Sequence, residues 1–188
     1  MIRFPTRTAL CLLLTATPAL ADDVTDTLDA ARAAYDGGNI TATIEELAYA
    51  QSLLQAMRTD GLAAFLPEAP DGWTREISTE MSGALAFTGG GTGAEATYSN
   101  GDQSFSISLL ADSPMMMAMA PMLANPMLAT ASGGKLHRMG SVKVLETDGQ
   151  LMTLVANRFL IQVEGASTEV MMPMLESMDL VGLASFTP

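Results

Sequence analysis

The sequence predicts an α+β fold, in which an N-terminal helical hairpin precedes a mainly antiparallel β-sheet with two packed helices. Apolar residues recur at helical spacing between residues 22 and 66, whereas several later segments alternate with a period of two. The segment LPEAPDGW, residues 66–73, separates these regions with proline and glycine. We therefore expect a helical hairpin at residues 22–66 and a sheet domain at residues 67–188.

Residues 1–21 have the pattern of a cleaved secretory signal peptide. Arg3 and Arg7 precede a short apolar core, and Ala19 and Ala21 form the cleavage pattern. The only cysteine, Cys11, lies in this segment, so we expect a mature chain without disulfide bonds. No later apolar run reaches the roughly 20 residues that span a bilayer. The sequence therefore predicts a soluble periplasmic protein whose mature chain does not insert into a membrane.

The mature chain is expected to be strongly acidic. The full sequence has 21 acidic and 9 basic residues, and removal of Arg3 and Arg7 leaves 21 against 7, a net charge of −14. Such a charge repels nucleic acid and anionic lipid head groups. We therefore expect no nucleic-acid partner.

Two amphipathic helices are expected in the hairpin. One face of the first helix carries Val24, Leu28, Ala31 and Tyr35. Gly37-Gly38 is expected to end that helix. The second helix is expected over residues 41–59, where Asp60-Gly61 ends or interrupts it. Its inward face is expected to carry Ile44, Leu47, Ala48, Leu54 and Met57.

Alternation of apolar and polar residues predicts the strands. In the clearest case, Phe105, Ile107 and Leu109 alternate with serines, which is typical of a strand buried on one face. Turns rich in glycine and asparagine separate the strands. We expect strands near residues 73–79, 84–88, 94–100, 103–111, 135–139, 141–147, 150–156 and 158–164.

Two helices are expected to pack on the sheet. The first is predicted to begin at Asp112, a capping residue followed two positions later by Pro114. Pro121 is expected to kink or end this helix, and Asn125-Pro126 to terminate it. The second helix is expected over residues 168–180.

The order of short motifs along the chain resembles that of a protein family. LPEAPDGW is followed by YSNGD, by DSP with a methionine-rich segment and ANP, and then by GGK and NRFLIQVEG. This succession resembles an uncharacterised family of exported proteobacterial proteins, and the layout is similar to the PsbP/Mog1-like α/β sandwich. The resemblance implies an exported protein with a layout that hosts accessory and binding proteins more than enzymes.

The segment DSPMMMAMAPMLANPM, residues 112–127, contains six methionines. On a helix, four of them lie within an arc of about 120°, the width of a core-facing stripe, so we expect core packing. The alternative is a copper(I) site, because thioether sulfur is a soft ligand. That site would use Met115, Met116, Met119 and Met122, with His137 as an additional nitrogen ligand.

The mature sequence lacks the common catalytic motifs. Its single histidine is His137, and it contains no cysteine nucleophile, HExxH motif or GxSxG motif. We therefore expect a non-enzymatic protein, without a cofactor, that acts by contact with a periplasmic protein or a small ligand. The contact surfaces are expected on the acidic hairpin and on the sheet beside the helix at residues 112–126. The alternative function is that of a methionine-rich periplasmic copper(I)-binding protein.

Overall fold

The computed structural model describes residues 20–79, 91–113, 116, 120–121, 125–131 and 133–187. The fold is α+β, as predicted: two N-terminal helices precede a seven-stranded antiparallel sheet, and two further helices end the described chain. The chain divides into two compact units, Met1–Leu53 and Leu54–Pro188. Residues 1–19 of the predicted signal peptide and the strand predicted near residues 84–88 lie outside the described residues.

Helix α1 and most of helix α2 belong to the first unit. α1 spans Leu20–Asp36, and α2 spans Ile40–Ala63 with its last ten residues in the second unit. At the start of α2, the side chain of Asn39 accepts a hydrogen bond from the backbone N–H of Ala42 at 3.2 Å. α2 continues through Gly61, because burial of the next residue, Leu62, offsets the roughly 1 kcal/mol that a helical glycine costs.

The expected orientation of α2 is wrong. Ile44, Leu47 and Ala48 are exposed in the first unit, and Leu54 and Met57 are exposed in the second. The most deeply covered positions of the first unit instead carry small side chains, namely Thr27, Ala31 and Ala50. Periodicity identifies an apolar face, but it does not specify which face another part of the protein covers.

The strands of the sheet agree with the predicted strands to within two residues at each end. They are β1 (Thr74–Ser78), β2 (Thr92–Ser99), β3 (Ser104–Ala111), β4 (Lys135–Met139), β5 (Val142–Thr147), β6 (Gln150–Val155) and β7 (Phe159–Glu164). Their order is β1-β2-β3-β7-β6-β5-β4, and every neighbouring pair is antiparallel. Short turns explain the pairing of β2 with β3 and the succession from β4 to β7, whereas β3 and β7, which are distant in the chain, join these two groups at the centre of the sheet.

The two faces of the sheet contribute to separate hydrophobic clusters. Phe105, Ile107 and Leu109 point into the larger cluster, which also contains residues of α4 (Thr168–Glu176) and α5 (Leu180–Ser185). Leu110 points to the opposite face, where a smaller cluster includes Ala129 of α3 (Pro126–Ala131). The alternation along β3 therefore divides the core between two layers.

One helix boundary agrees with the expected one and another differs. Asn125-Pro126 lies between two helical segments: residues 120–121 are helical, the backbone N–H of Asn125 donates to the carbonyl of Pro121 at 3.1 Å, and α3 begins at Pro126, where the Asn125 side chain accepts a hydrogen bond from the Met127 backbone N–H at 3.0 Å. The helix predicted over residues 168–180 ends at Glu176, and Asp179 caps a separate helix by accepting from Gly182 N–H at 2.8 Å. Among the described residues, no helix combines the length and the apolar character needed to cross a bilayer.

Candidate protein-interaction surface

Helix α2 carries an exposed apolar stripe in the first unit. The side chains of Ile40, Ile44 and Leu47 are 55%, 62% and 49% exposed. At about 100° per residue, these three positions fall within about 60° of the helix circumference. They therefore form one continuous strip, which we call the α2 stripe.

The first unit is rich in exposed apolar side chains beyond this stripe. It holds six of the eleven large apolar residues that are exposed in the described chain: Leu28, Tyr35, Ile40, Ile44, Leu47 and Tyr49. Single exposed apolar residues are ordinary, whereas a contiguous patch marks an interaction surface. The α2 stripe is such a patch, because its members follow one another along one side of a helix.

The α2 stripe lies in a strongly acidic part of the chain. Residues 23–53 contain six acidic residues and one basic residue, Arg32. Arg32 Nε lies 4.0 Å from a carboxylate oxygen of Asp36 in an exposed pair, so its charge is largely matched within α1. Glu45 is exposed on α2, about 100° or more around the helix from each member of the stripe, so its charge contributes through the general field of the unit. The electrostatic field around the stripe is therefore negative and attracts cationic groups.

Of the methionines that were predicted as copper ligands, the structure describes Met116. Its side chain is 6% exposed and belongs to the smaller hydrophobic cluster, with Leu110, Leu145 and Leu160. Met115, Met119 and Met122 lie outside the described residues. Copper binding by this segment stays a prediction.

His137 lies on β4 and contacts the carboxylate of Glu146 on β5 through Nε2. The hydroxyl of Thr168 donates to the other oxygen of Glu146 at 2.7 Å. The hydrogen bond from Thr168, followed by that from His137, lowers the pKa of Glu146 from its usual value. The histidine is therefore part of a polar network between two strands and the start of α4.

Met116 and His137 lie on opposite faces of the sheet. Leu136 packs against the cluster that contains Met116, and His137 is the next residue along β4, so its side chain points the other way. The structure therefore does not bring these two predicted copper ligands together. Among the described residues, no group of three or more His, Cys, Asp or Glu side chains is placed to hold a metal ion.

A groove of about 670 Å³ lies at one end of the sheet in the second unit. Its walls include Met139, Leu154 and Val181, and Lys143 supplies a charged group. The turn at Ala156-Asn157 borders it, with φ values of 51° and 54° that are uncommon for residues other than glycine. Ala120, from the segment beside which a contact surface on the sheet was expected, also lines this groove, and its other walls come from two turns and α5, which are distant in the chain.

Comparison of the chain with models of protein families, with curated proteins and with solved structures gives no match. The fold and the α2 stripe define an α+β protein that has an exposed apolar strip on a helix in an acidic part of the chain. The resemblance to exported proteobacterial proteins and to the PsbP/Mog1 layout stays a prediction.

Proposed function

We propose that the protein is a non-enzymatic periplasmic binding protein that docks a partner protein on the α2 stripe. The observation that carries this proposal is the row of three aliphatic side chains, Ile40, Ile44 and Leu47, exposed on one side of α2. Spacings of i, i+4 and i+7 are those by which amphipathic helices contact a partner. The function is thus recognition of another polypeptide.

The partner segment that fits this surface is amphipathic and basic. Its apolar face would cover the α2 stripe, and its lysines or arginines would be attracted by the negative charge of residues 23–53. A second copy of the same unit is a poor fit, because it would bring six acids against six acids. An anionic membrane surface is repelled for the same reason.

The expected contribution of the α2 stripe is large enough to measure. Each of the three side chains is already about half covered, so docking would bury the remaining half and contribute about 1 kcal/mol. Together they contribute about 3 kcal/mol, which corresponds to an affinity change on the order of 100-fold.

Fluorescence anisotropy with the full chain tests this proposal. The probes are a labelled amphipathic peptide of leucine and lysine, its counterpart with glutamate in place of lysine, and a scrambled leucine–lysine peptide. The amphipathic basic peptide should bind, and the triple variant Ile40→Ala, Ile44→Ala, Leu47→Ala should weaken binding on the order of 100-fold. Alanine favours helix, so far-UV circular dichroism should be unchanged.

A matched control uses Tyr49, which is exposed on the opposite side of α2. Tyr49→Ala should leave the affinity for the basic peptide unchanged. The proposal is wrong if the triple variant binds as tightly as the natural chain, or if the acidic or scrambled peptide binds equally well. Light scattering that shows a dimer, lost in the triple variant, would assign the stripe to a second copy of the chain instead.

A further inference from the structure

Two buried polar side-chain atoms in the second unit have no hydrogen-bond partner among the described residues, Arg58 Nε and Thr92 Oγ1. Both belong to residues beside the end of β3. Thr92 is 1% exposed and pairs across the sheet with Ala111, and a terminal nitrogen of Arg58 lies 3.7 Å from the carboxylate of Asp112. Buried polar groups are normally bonded, so two unsatisfied groups near one strand end indicate a binding position.

The charges at this strand end are unequal. Arg158 donates to both carboxylate oxygens of Asp112, from Nε at 3.2 Å and from Nη2 at 3.1 Å. Its remaining terminal nitrogen donates to the carbonyl of Phe186 at 3.3 Å. The carboxylate is thus matched by Arg158, and Arg58 adds a second guanidinium. Two guanidiniums against one carboxylate leave one positive charge in excess, in a chain whose net charge is −12.

The backbone at Asp112 holds this arrangement in place. Asp112 has a φ of 52°, in the left-handed region that residues other than glycine adopt infrequently. Its backbone N–H donates to the carbonyl of Arg158 at 3.0 Å. Strained backbone positions of this kind concentrate at binding sites, where they fix side-chain positions before a ligand arrives.

We propose that Arg58 and Thr92, which lie beside the Asp112–Arg158 pair in a cluster of four residues that we call the Arg58 corner, bind an oxyanion. Arg58 Nε and the Thr92 hydroxyl are donors toward the anion, and a guanidinium favours carboxylate and phosphate groups because its N–H groups are held in a planar fork. The anion balances the excess positive charge, which a water molecule would not do. The side chain of Arg58 is 37% exposed, so the guanidinium is accessible from solvent although Nε is buried.

Nuclear magnetic resonance of the arginine Nε–H groups in the full chain tests this directly. The nitrogen-15-labelled protein is titrated with acetate and, separately, with phosphate, at constant pH and constant ionic strength set with sodium chloride. The Arg58 Nε–H signal, assigned by its loss in Arg58→Lys, should shift and saturate. Saturation by acetate alone assigns a carboxylate ligand, saturation by phosphate alone assigns a phosphate group, and saturation by both assigns a general oxyanion site.

Arg32 supplies the control within the same spectrum, because it is an exposed arginine paired with Asp36 in α1. Its Nε–H signal should not saturate. Equal shifts at Arg32 and Arg58, or a linear change at Arg58, would show charge screening only and would overturn the proposal.

Thr92→Val provides a second, independent measurement. Valine has nearly the shape of threonine but no hydroxyl, so the variant should lower oxyanion affinity about tenfold. Without an oxyanion, its thermal midpoint should equal or exceed that of the natural chain, since an unsatisfied hydroxyl has been removed. An unchanged affinity would remove Thr92 from the site and contradict the proposed donor set.

Discussion

The first unit and the sheet of the second unit place similar apolar residues in opposite environments. Ile44 on α2 is 62% exposed, whereas Ile107 on β3 is fully buried. Ile107 lies on the apolar face of β3, and Ile44 lies on the α2 stripe. β3 pairs with β2 and β7 on its two sides and contributes to the larger hydrophobic cluster, whereas the covered positions of the first unit carry alanine and threonine. An apolar face becomes core only where other elements cover it.

The same comparison separates stability from recognition. Large side chains buried in the sheet contribute to folding, since each removes apolar surface from water. Large side chains exposed on α2 contribute little to folding and are available to a partner. Matched substitutions in the two regions should therefore have unequal effects on the free energy of unfolding.

Ile107→Ala and Ile44→Ala should show the largest difference in the free energy of unfolding. Ile107→Ala leaves a cavity in the larger hydrophobic cluster and should lower the free energy of unfolding by about 3 kcal/mol. Ile44→Ala should change it by less than about 0.5 kcal/mol. Urea unfolding followed by Trp73 fluorescence reports on the sheet, because the Trp73 and Phe105 rings are 5.2 Å apart. Far-UV circular dichroism reports on the helices. Equal costs would mean that Ile44 is covered in solution.

Tyr98→Phe and Tyr49→Phe should differ by an intermediate amount. The buried hydroxyl of Tyr98 donates to the carbonyl of Pro67 at 2.6 Å, so Tyr98→Phe should lower the free energy of unfolding by about 1 kcal/mol. Tyr49 is exposed, so Tyr49→Phe should not change the free energy of unfolding measurably.

The pH dependence of Tyr98 has a defined sign. Burial raises the pKa of Tyr98 from 10.0 to about 12. Because the folded pKa is raised, the contribution of Tyr98 to the free energy of unfolding is complete below the unfolded pKa and is lost as pH rises through the folded pKa. The ultraviolet phenolate absorbance of the natural chain should therefore include a step near pH 12 that is missing in Tyr98→Phe. If Tyr98→Phe instead removed absorbance change at the ordinary tyrosine pKa and left the region near pH 12 unaltered, the buried position would be contradicted.

Glu146→Gln and Glu45→Gln should show the smallest difference, and its dependence on pH is the informative result. Hydrogen bonds from Thr168 and His137 lower the pKa of Glu146 in the folded chain. Its contribution is therefore present above the unfolded pKa and is lost as pH falls through the folded pKa. Glu146→Gln should cost about 0.5 kcal/mol at neutral pH and less in acid. Glu45→Gln should have no effect at either pH, and a cost for Glu146→Gln that is independent of pH would contradict this explanation.

The bounds of the strands were predicted more accurately than the burial of the faces of the helices. Strand β3 was predicted within one residue, because its alternation is a property of neighbouring residues. The orientation of α2 was not, because no local pattern specifies which face is covered. Asn125-Pro126 has one sequence signature for ending a helix and another for beginning one, and the structure uses both, since a helical hydrogen bond joins Asn125 to Pro121 and α3 begins at Pro126.

The α2 stripe and the Arg58 corner also differ in how much of each site the sequence could predict. The α2 stripe comes from one helix, and the sequence identified two of its members, Ile44 and Leu47, although with the wrong orientation. The Arg58 corner joins residues that are far apart in the chain, through the pairing of β2 with β3 and the position of Asp112. Neither arginine has a motif around it that predicts this contact.

The sequence by itself determined the α+β class, the spacing of the strands and the order of an acidic helical region before a sheet. These follow from periodicity, turn residues and charge, which depend on residues close together in the chain. Only the tertiary structure decided that Ile44 faces solvent, that the two faces of the sheet separate Met116 from His137, and that two arginines converge on Asp112. The physical reason is that burial and charge pairing depend on which distant residues pack together, and local spacing does not encode that.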